Sequence, residues 1–273
     1  MKALEFDSSK KYLTVIKNEI QHQLTYRFNI IGYRVGNFFE LFFQIIIWSI
    51  IFQKVELVRG YTYEEMVSYI VIGWLFMYLT GNYGIESIIE NNISEGKITE
   101  FLLKPISYLK YIFCYSIGRA SIALMSAVII QTVIIWFYSD VIVFNLDIKK
   151  TILLIAMVMA TFVLRIFLSM ILGMIAFWTD RIAGIDYSFN VVSRFLSGSY
   201  FTLSLLPPAA LTICKFLPFA YTFYYPTQLY LGKISFSEGL AALGIEILWI
   251  IGLYVIIKII WKRGIKKYEG VGI

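Results

Sequence analysis

The chain has 273 residues, of which 59% are hydrophobic and 15% charged, with 24 Lys and Arg against 18 Asp and Glu for a net charge of +6. An ordinary soluble domain is about 45–50% apolar and about 25% charged, so a water-soluble fold, a disordered chain and a disulfide-stapled domain are excluded. At about 20 apolar residues per membrane-spanning helix, six spans use roughly 120 residues and leave pieces too short for a second globular domain. A single transmembrane domain over 1–273 is therefore expected.

Between Tyr12 and Phe28 the apolar residues Leu13, Ile16, Ile20, Leu24 and Phe28 recur every three to four positions among Lys17, Glu19, Gln21 and Gln23. This spacing predicts an amphipathic helix over 12–28 that suits the plane of the membrane interface, the alternative being a helix packed on a partner. The chain's one histidine, His22, falls on this helix and reads as a surface residue. No leader is expected, because residues 1–29 lack the compact basic start, apolar core and small-residue cleavage site of a signal peptide.

Span 1 is predicted over 31–52, with Arg34 and Glu40 near its start, and span 2 over 66–80. The polar stretch from Glu86 to Lys110 reads as a loop followed by a short helix that Pro105 stops. Span 3 is predicted over 111–137, span 4 over 152–178, span 5 over 187–206 and span 6 over 240–261. A charge near a span centre costs about 2.5–3.5 kcal/mol, so Arg119, Arg165 and Glu246 need an aqueous or ion-paired setting. Arg34, Arg194 and Asp186 lie near span ends, where snorkelling accounts for them.

Four of the five prolines, Pro207, Pro208, Pro218 and Pro226, fall in an apolar, aromatic segment between spans 5 and 6. It is too apolar for an exposed loop and too broken for a span, which predicts short re-entrant or surface-lying helices over 207–230 on the outer face. An ordinary extracellular loop is the alternative. Lys and Arg concentrate in the N-terminal arm, after span 2 (Lys97, Lys104, Lys110) and at the C-terminal end (Lys258, Lys262, Arg263, Lys266, Lys267). The positive-inside rule then puts both termini in the cytoplasm. Cys114 and Cys214 fall toward opposite sides, which disfavours a bridge between them.

The chemistry the chain lacks is informative. One histidine and two cysteines make a metal cluster unlikely on composition, and neither a phosphate-binding G-x-x-x-x-G-K-[ST] loop nor a G-x-G-x-x-G occurs. Ser197 and Ser199 in Leu196-Ser197-Gly198-Ser199 suggest a nucleophile, but the histidine lies outside the spans and cannot serve as its base. Asp180 and Asp186 stand six residues apart without the Gly-x-Gly-Asp of an aspartyl dyad. The chain is read as no enzyme, with no cofactor of its own.

The order of features resembles the membrane subunits, or permeases, of type-2 ABC transporters, bacterial exporters above all. The residues that carry it are Gly96 with Leu102-Leu103-Lys104-Pro105-Ile106-Ser107, Phe177-Trp178, Leu196-Ser197-Gly198, Leu206-Pro207, Leu217-Pro218-Phe219, Tyr225-Pro226, Leu231-Gly232, and the end pattern Trp261, Gly264, Tyr268 and Gly272. Thr202 departs from the pattern, which has a proline after the Ser-Gly in many relatives. The resemblance implies an all-α fold of six spans in the bacterial cytoplasmic membrane, a second permease, same or related, and two cytoplasmic subunits that bind ATP and Mg. No nucleic acid is expected.

It further implies that the 93–107 region holds a coupling helix resting on the ATP-binding subunit, with Glu95, Gly96, Ile98, Phe101, Leu102, Lys104 and Pro105 as its residues. Apolar Ile98, Phe101 and Leu102 among the charges can bury one face there; a solvated connector is the alternative. Spans 2 and 5 become the walls of a substrate path between two permeases, through Trp74, Tyr78, Thr80 and Asn82 on one side and Asn190, Ser193, Ser197 and Ser199 on the other. Pro207, Pro218, Phe219 and Pro226 would form an outer gate for an amphipathic substrate such as a drug, peptide, lipid or glycan. The rival classes are a secondary transporter or channel, which wants mid-span ionisable groups, and a membrane scaffold or immunity protein.

Overall fold

The computed structural model describes residues 8–25, 27–81, 84–143, 147–179 and 181–268. Over these residues the chain folds into α-helices and short 3-10 turns, with no strand beyond one isolated bridge. Helix α1 (Ser8–Thr25) is followed by α2 (Arg27–Phe52), and a tight turn then returns the chain into α3 (Tyr63–Leu79). In that turn Val58 and Tyr61 exchange both backbone hydrogen bonds at 3.1 Å across Arg59 and Gly60, each with positive φ. Two left-handed residues in succession make the mirror-image turn that suits a close reversal, and Gly60 takes this conformation without a Cβ penalty. Thr62 and Glu65 close a reciprocal capping box at the start of α3.

Two short helices follow, α4 (Ile85–Ser94) and α5 (Ile98–Leu103), then the long α6 (Tyr108–Phe137) and α7 (Ile148–Met174), the latter continued by a 3-10 turn Ile175–Phe177. Helix α8 (Ala183–Ser197) stops at Gly198, whose φ of 86° reverses the backbone. A 3-10 turn (Leu203–Leu205), α9 (Pro208–Phe216), a second turn (Pro218–Thr222) and α10 (Tyr224–Leu231) lead to α11 (Phe236–Lys267). Among the described residues, α7 with its 3-10 extension and α11 are each long and apolar enough to cross a membrane.

Several boundaries shift for local reasons. Helix α7 starts at Ile148 because the Asp147 carboxylate caps it, accepting the Lys150 N–H at 2.8 Å. Helix α11 starts at Phe236 because Ser235 and Glu238 form a second capping box, and those hydrogen bonds hold the Glu238 carboxyl below the usual carboxylate range. Helix α8 ends nine residues before the predicted 206, since Gly198 terminates it. The stretch read as a loop after Glu86 is mostly α4: Ile85, Ile89 and Ile93 recur every four residues and are buried.

Helix α1 runs lengthwise along α6 of the same chain. Lys11 donates to the Pro105 carbonyl at 2.8 Å, and a Cβ on Gly118 would lie 2.8 Å from the Ile16 carbonyl oxygen, so the helices touch backbone to backbone. Glu19, buried in this seam, sits 3.7 Å from Arg119, which supplies the ion-paired setting that Arg119 requires.

Two apolar cores result. One joins α2, α3, the far half of α6, the start of α7 and residues 203–231. Helix α3 is apolar on every face and accordingly lies covered by α2, α6 and α10. The other core joins α4, α5, the start of α6 and the far ends of α7 and α11.

Candidate functional site

The second core positions the candidate coupling segment. Gly96, with φ 77°, turns the chain between α4 and α5. Ile98 is 0% exposed, and the Phe101 ring lies 5.0 Å from Tyr108 and 4.6 Å from Tyr111. Tyr108 in turn stacks on Trp261 at 5.0 Å, while its hydroxyl accepts from the Asn92 amide at 3.1 Å and burial pushes its phenol up. Phe177 packs on Trp261 and on the bare backbone of Gly264, where a Cβ would come within 2.2 Å of the ring. Helix α5 is thereby packed against α6, and α6 against α11, through a chain of touching rings.

The opposite face of α5 is bare. Leu102 is 53% exposed and Leu103 82%, between a Glu95–Lys97 ion pair and a Glu100–Lys104 pair at 2.9 Å. Phe101, expected with Leu102 on the partner-facing side, is turned inward because the third residue after Ile98 shares its face on a helix. Leu103, the most exposed apolar side chain of the segment, takes its place. Pro105 ends the segment, and its carbonyl is the one held by Lys11.

Three of the predicted path residues, Trp74, Ser197 and Ser199, meet at one node. Arg194 of α8 forms a two-armed ion pair with Glu40 of α2, its Nη1 lying 3.2 Å from Oε2, and its guanidinium rests 4.6 Å from the Tyr200 ring and 5.4 Å from Trp74. Trp74 Nε1 donates to Gln44 Oε1 at 2.8 Å, and the Gln44 amide donates to the carbonyls of Ser199 and Tyr200 at 2.7 and 2.8 Å. The hydroxyls of Ser197 and Ser199 donate to the Arg194 carbonyl, which also accepts from the backbone N–H groups of Gly198 and Ser199 at the end of α8. Snorkelling therefore does not describe Arg194: it is a cross-tie between α2, α3 and α8. Glu40 and Gln44, spaced one turn apart within the apolar stretch 38–48, were the signal for this node.

Of the other path residues, Tyr78 and Thr80 are buried in the single chain, and Asn190 and Ser193 are half-buried. Tyr78 is buried beside Trp74, with ring centroids 5.4 Å apart, and Thr80 is buried with its hydroxyl on the Phe76 carbonyl. Asn190 donates to the Asp186 carboxylate at 2.8 Å and Ser193 to the Asn190 carbonyl at 3.0 Å, both within α8. Asn82 lies outside the described residues, as do Asp180 and Gly272.

Residues 198–233 form the candidate gate. Pro207 and Pro208 start α9, Pro218 starts the second 3-10 turn, and Pro226 sits in the first turn of α10, positions where a missing N–H costs nothing. Phe219 packs edge-on to Phe189 of α8 at 5.7 Å, and Phe223 lies over Gly73 of α3. Tyr61 from the α2–α3 turn gathers the Thr202 hydroxyl at 3.2 Å, the Ser204 hydroxyl at 3.3 Å and the Gln228 amide. Lys233 then closes on Glu65 at 2.6 Å and on the Gly60 carbonyl at 2.8 Å, over the Tyr61 ring.

A family model described as ABC-2 family transporter protein matches residues 38–272, which takes in the node, both apolar cores, the broken segment and α11. The chain belongs to that family. No curated protein matches it.

As an ABC-2 permease the chain is a transmembrane component of a transporter, and permeases of this family do not themselves hydrolyse ATP but work with ATP-binding subunits. Among the described residues no group of three or more His, Cys, Asp or Glu gathers as for a metal, and Cys114 and Cys214 are unbridged. The permease exposes Leu102 and Leu103 at one end of the bundle and carries four short helical elements between Leu203 and Leu231.

Proposed function

We propose that this ABC-2 permease exports an amphipathic substrate through a path between two permease copies, driven by ATP hydrolysis on separate cytoplasmic subunits. The single observation that supports it is the two-faced α5, bare at Leu102 and Leu103 and locked through Phe101, Tyr108 and Trp261 to α6 and α11. Such a knob fits a groove on the ATP-binding subunit, its flanking charges setting orientation. ATP and Mg belong to those partner subunits.

The expected walls, spans 2 and 5, are α3 and α8; because α3 is buried beneath α2 in the single chain, the path is drawn along the exposed faces of α2 and α8. In the single chain Phe39, Phe43, Ile47 and Ile50 of α2 and Val191, Val192 and Phe195 of α8 are exposed, faces that a second permease or lipid covers. Trp74 and Tyr78 join this path when the Arg194–Glu40 seam parts. The Pro207–Tyr230 segment acts as outer gate. Both termini lie in the cytoplasm of a bacterial cell, and the membrane is the cytoplasmic one.

Two exposed serines test this orientation, Ser94 at the end of α4 and Ser235 before α11. An impermeant thiol reagent added to intact cells should label Ser235→Cys and spare Ser94→Cys; the reverse pattern overturns the layout. Coupling is tested by Leu102→Asp with Leu103→Asp: burying each Leu is worth about 1.5–3 kcal/mol, so the double variant should lose stimulation of ATP hydrolysis by substrate while its melting temperature is kept. Normal export by that variant makes α5 a connector only.

A further inference from the structure

One carboxyl is buried where α7, α11 and the Pro218–Thr222 turn meet. Glu246 of α11 is 0% exposed. Its Oε1 lies 2.7 Å from the Thr161 hydroxyl, and the same hydroxyl lies 3.2 Å from the Tyr221 carbonyl oxygen. The other carboxyl oxygen, Oε2, is buried without a hydrogen-bond partner, and among the described residues no ion pair includes Glu246.

Hydrogen-bond stoichiometry decides what this site holds. A threonine hydroxyl carries one proton, so with an ionised Glu246 it can serve the carboxylate or the Tyr221 carbonyl, never both. The ion would in addition keep one bare oxygen and no counter-charge in an apolar interior. One added proton removes the competition for the hydroxyl and the buried charge, leaving Oε2 as a neutral carbonyl oxygen: the acid donates from Oε1 to the Thr161 oxygen, and Thr161 donates to the Tyr221 carbonyl. We infer that Glu246 is a proton-binding site whose proton latches the Pro218–Thr222 turn to α7 and α11.

The surrounding groups are otherwise engaged. Arg165, one turn along α7 from Thr161, has its guanidinium 3.4 Å from the Met77 carbonyl; the Tyr221 hydroxyl donates to the Lys215 carbonyl at 2.7 Å; Tyr225 of α10 stacks on Tyr221 at 4.9 Å. On α11 itself Glu238 is held by Ser235. When the proton leaves to water, the charge stays on Glu246, the Thr161 proton turns to it, and the Tyr221 carbonyl is set free. Thr161 lies at the midpoint of α7, so the latch ties the turn deep inside the bundle rather than at its rim. The consequence for transport rests on the outer-gate reading; the proton site does not.

The test uses the whole complex with its ATP-binding subunits in membrane vesicles. Infrared spectroscopy reads the carbonyl band of a neutral carboxylic acid, and an impermeant maleimide reads the turn through Phe219→Cys in a Cys114→Ser, Cys214→Ala background. The expected result is an acid band that Glu246→Gln removes, with labelling, divided at each pH by the rate for the same Cys in denatured protein so that the thiol's own ionisation cancels, that rises as the band fades with pH, by at most about tenfold per pH unit for one proton. Glu246→Gln, whose amide donates as the acid does, should label slowly at every pH, and Thr161→Val rapidly at every pH. A band unchanged in Glu246→Gln, or labelling that follows pH equally in that variant, overturns the proton site. So does labelling that responds to replacing sodium by choline with no acid band, which would make it a sodium site. An acid band lost in Glu246→Gln together with labelling that ATP never alters supports the proton site and sinks the outer-gate reading alone.

Discussion

At the α5 end of the bundle Tyr108 stacks on Trp261 and Phe177 lies on Gly264, whereas at the end carrying residues 198–233 Tyr61, Gln228 and Lys233 hold the chain by hydrogen bonds and one ion pair. Aromatic groups that bury about 150–250 Å² each resist any shift smaller than their own removal. Hydrogen bonds worth about 0.5–1.5 kcal/mol each can be traded one at a time, with each other or with water. The polar ties of the second end lie over buried aromatics of its own, Tyr221 and Phe223, so the two ends differ in their proportion of hydrogen bonds rather than in having a packed core. Glycines at the two ends differ in what they touch. At Gly173 an added Cβ would meet the Glu86 carbonyl oxygen at 2.8 Å and Ile89 Cβ at 2.7 Å, so α4 itself must move. At Gly73 it would come within 2.1 Å of the Phe223 ring, which is fully buried against Tyr69, so that ring or α3 must move.

The largest expected effect follows from that pair. Gly173→Ala and Gly73→Ala should each destabilise the permease by about 1–3 kcal/mol or more, the first by displacing α4 and the second by displacing Phe223 and with it the gate segment. Thermal unfolding of the two variants measures the cost and local hydrogen exchange its place; exchange that rises in the same segment in both would erase the distinction. Next comes Arg194→Met, which leaves Glu40 without its partner. The pair's side chains are 24% and 38% exposed, so solvent softens the cost to about 1–2 kcal/mol. Adding Glu40→Gln should recover most of it, and a double-mutant cycle without coupling would reduce the node to coincidence.

Lys233→Met should cost about 0.5–1 kcal/mol and raise hydrogen exchange around Gly60 and Glu65 without touching α5. The smallest effect is a pH dependence at the start of α11. Hydrogen bonds from Ser235 hold the folded Glu238 carboxyl below its ordinary range, so its capping contribution is complete above that range and is lost as pH falls through the folded value. Amide exchange at the first turn of α11 should quicken on acidification, and Glu238→Gln should flatten the response.

The sequence discloses the long helices because their signals are local. Continuous apolar runs mark α7 and α11, and Asp147 and Ser235 with Glu238 mark their starts in plain view. Helix α4 is less legible: its isoleucines alternate with Glu86, Glu90, Asn91 and Asn92, and the polar residues dominate a reading by composition. The inward turn of Phe101 depends on Tyr108 and on Trp261, which comes from the far end of the chain, and no spacing near Phe101 announces that neighbour. Arg194 has its partner Glu40 154 positions away, so its role could only emerge once α2 and α8 were side by side. Local patterns give helices; which face of a short helix is bare is settled by packing.

The central claim is that a push on the bare face of α5 reaches the segment around Phe219. Labelling of Phe219→Cys by an impermeant reagent, with and without ATP, measures it directly in vesicles carrying either the otherwise unaltered permease or the Leu102→Asp, Leu103→Asp variant. The account predicts that ATP changes the labelling rate in the first and leaves it unchanged in the second, at equal melting temperatures. An ATP-driven change that survives intact in the double variant would contradict it.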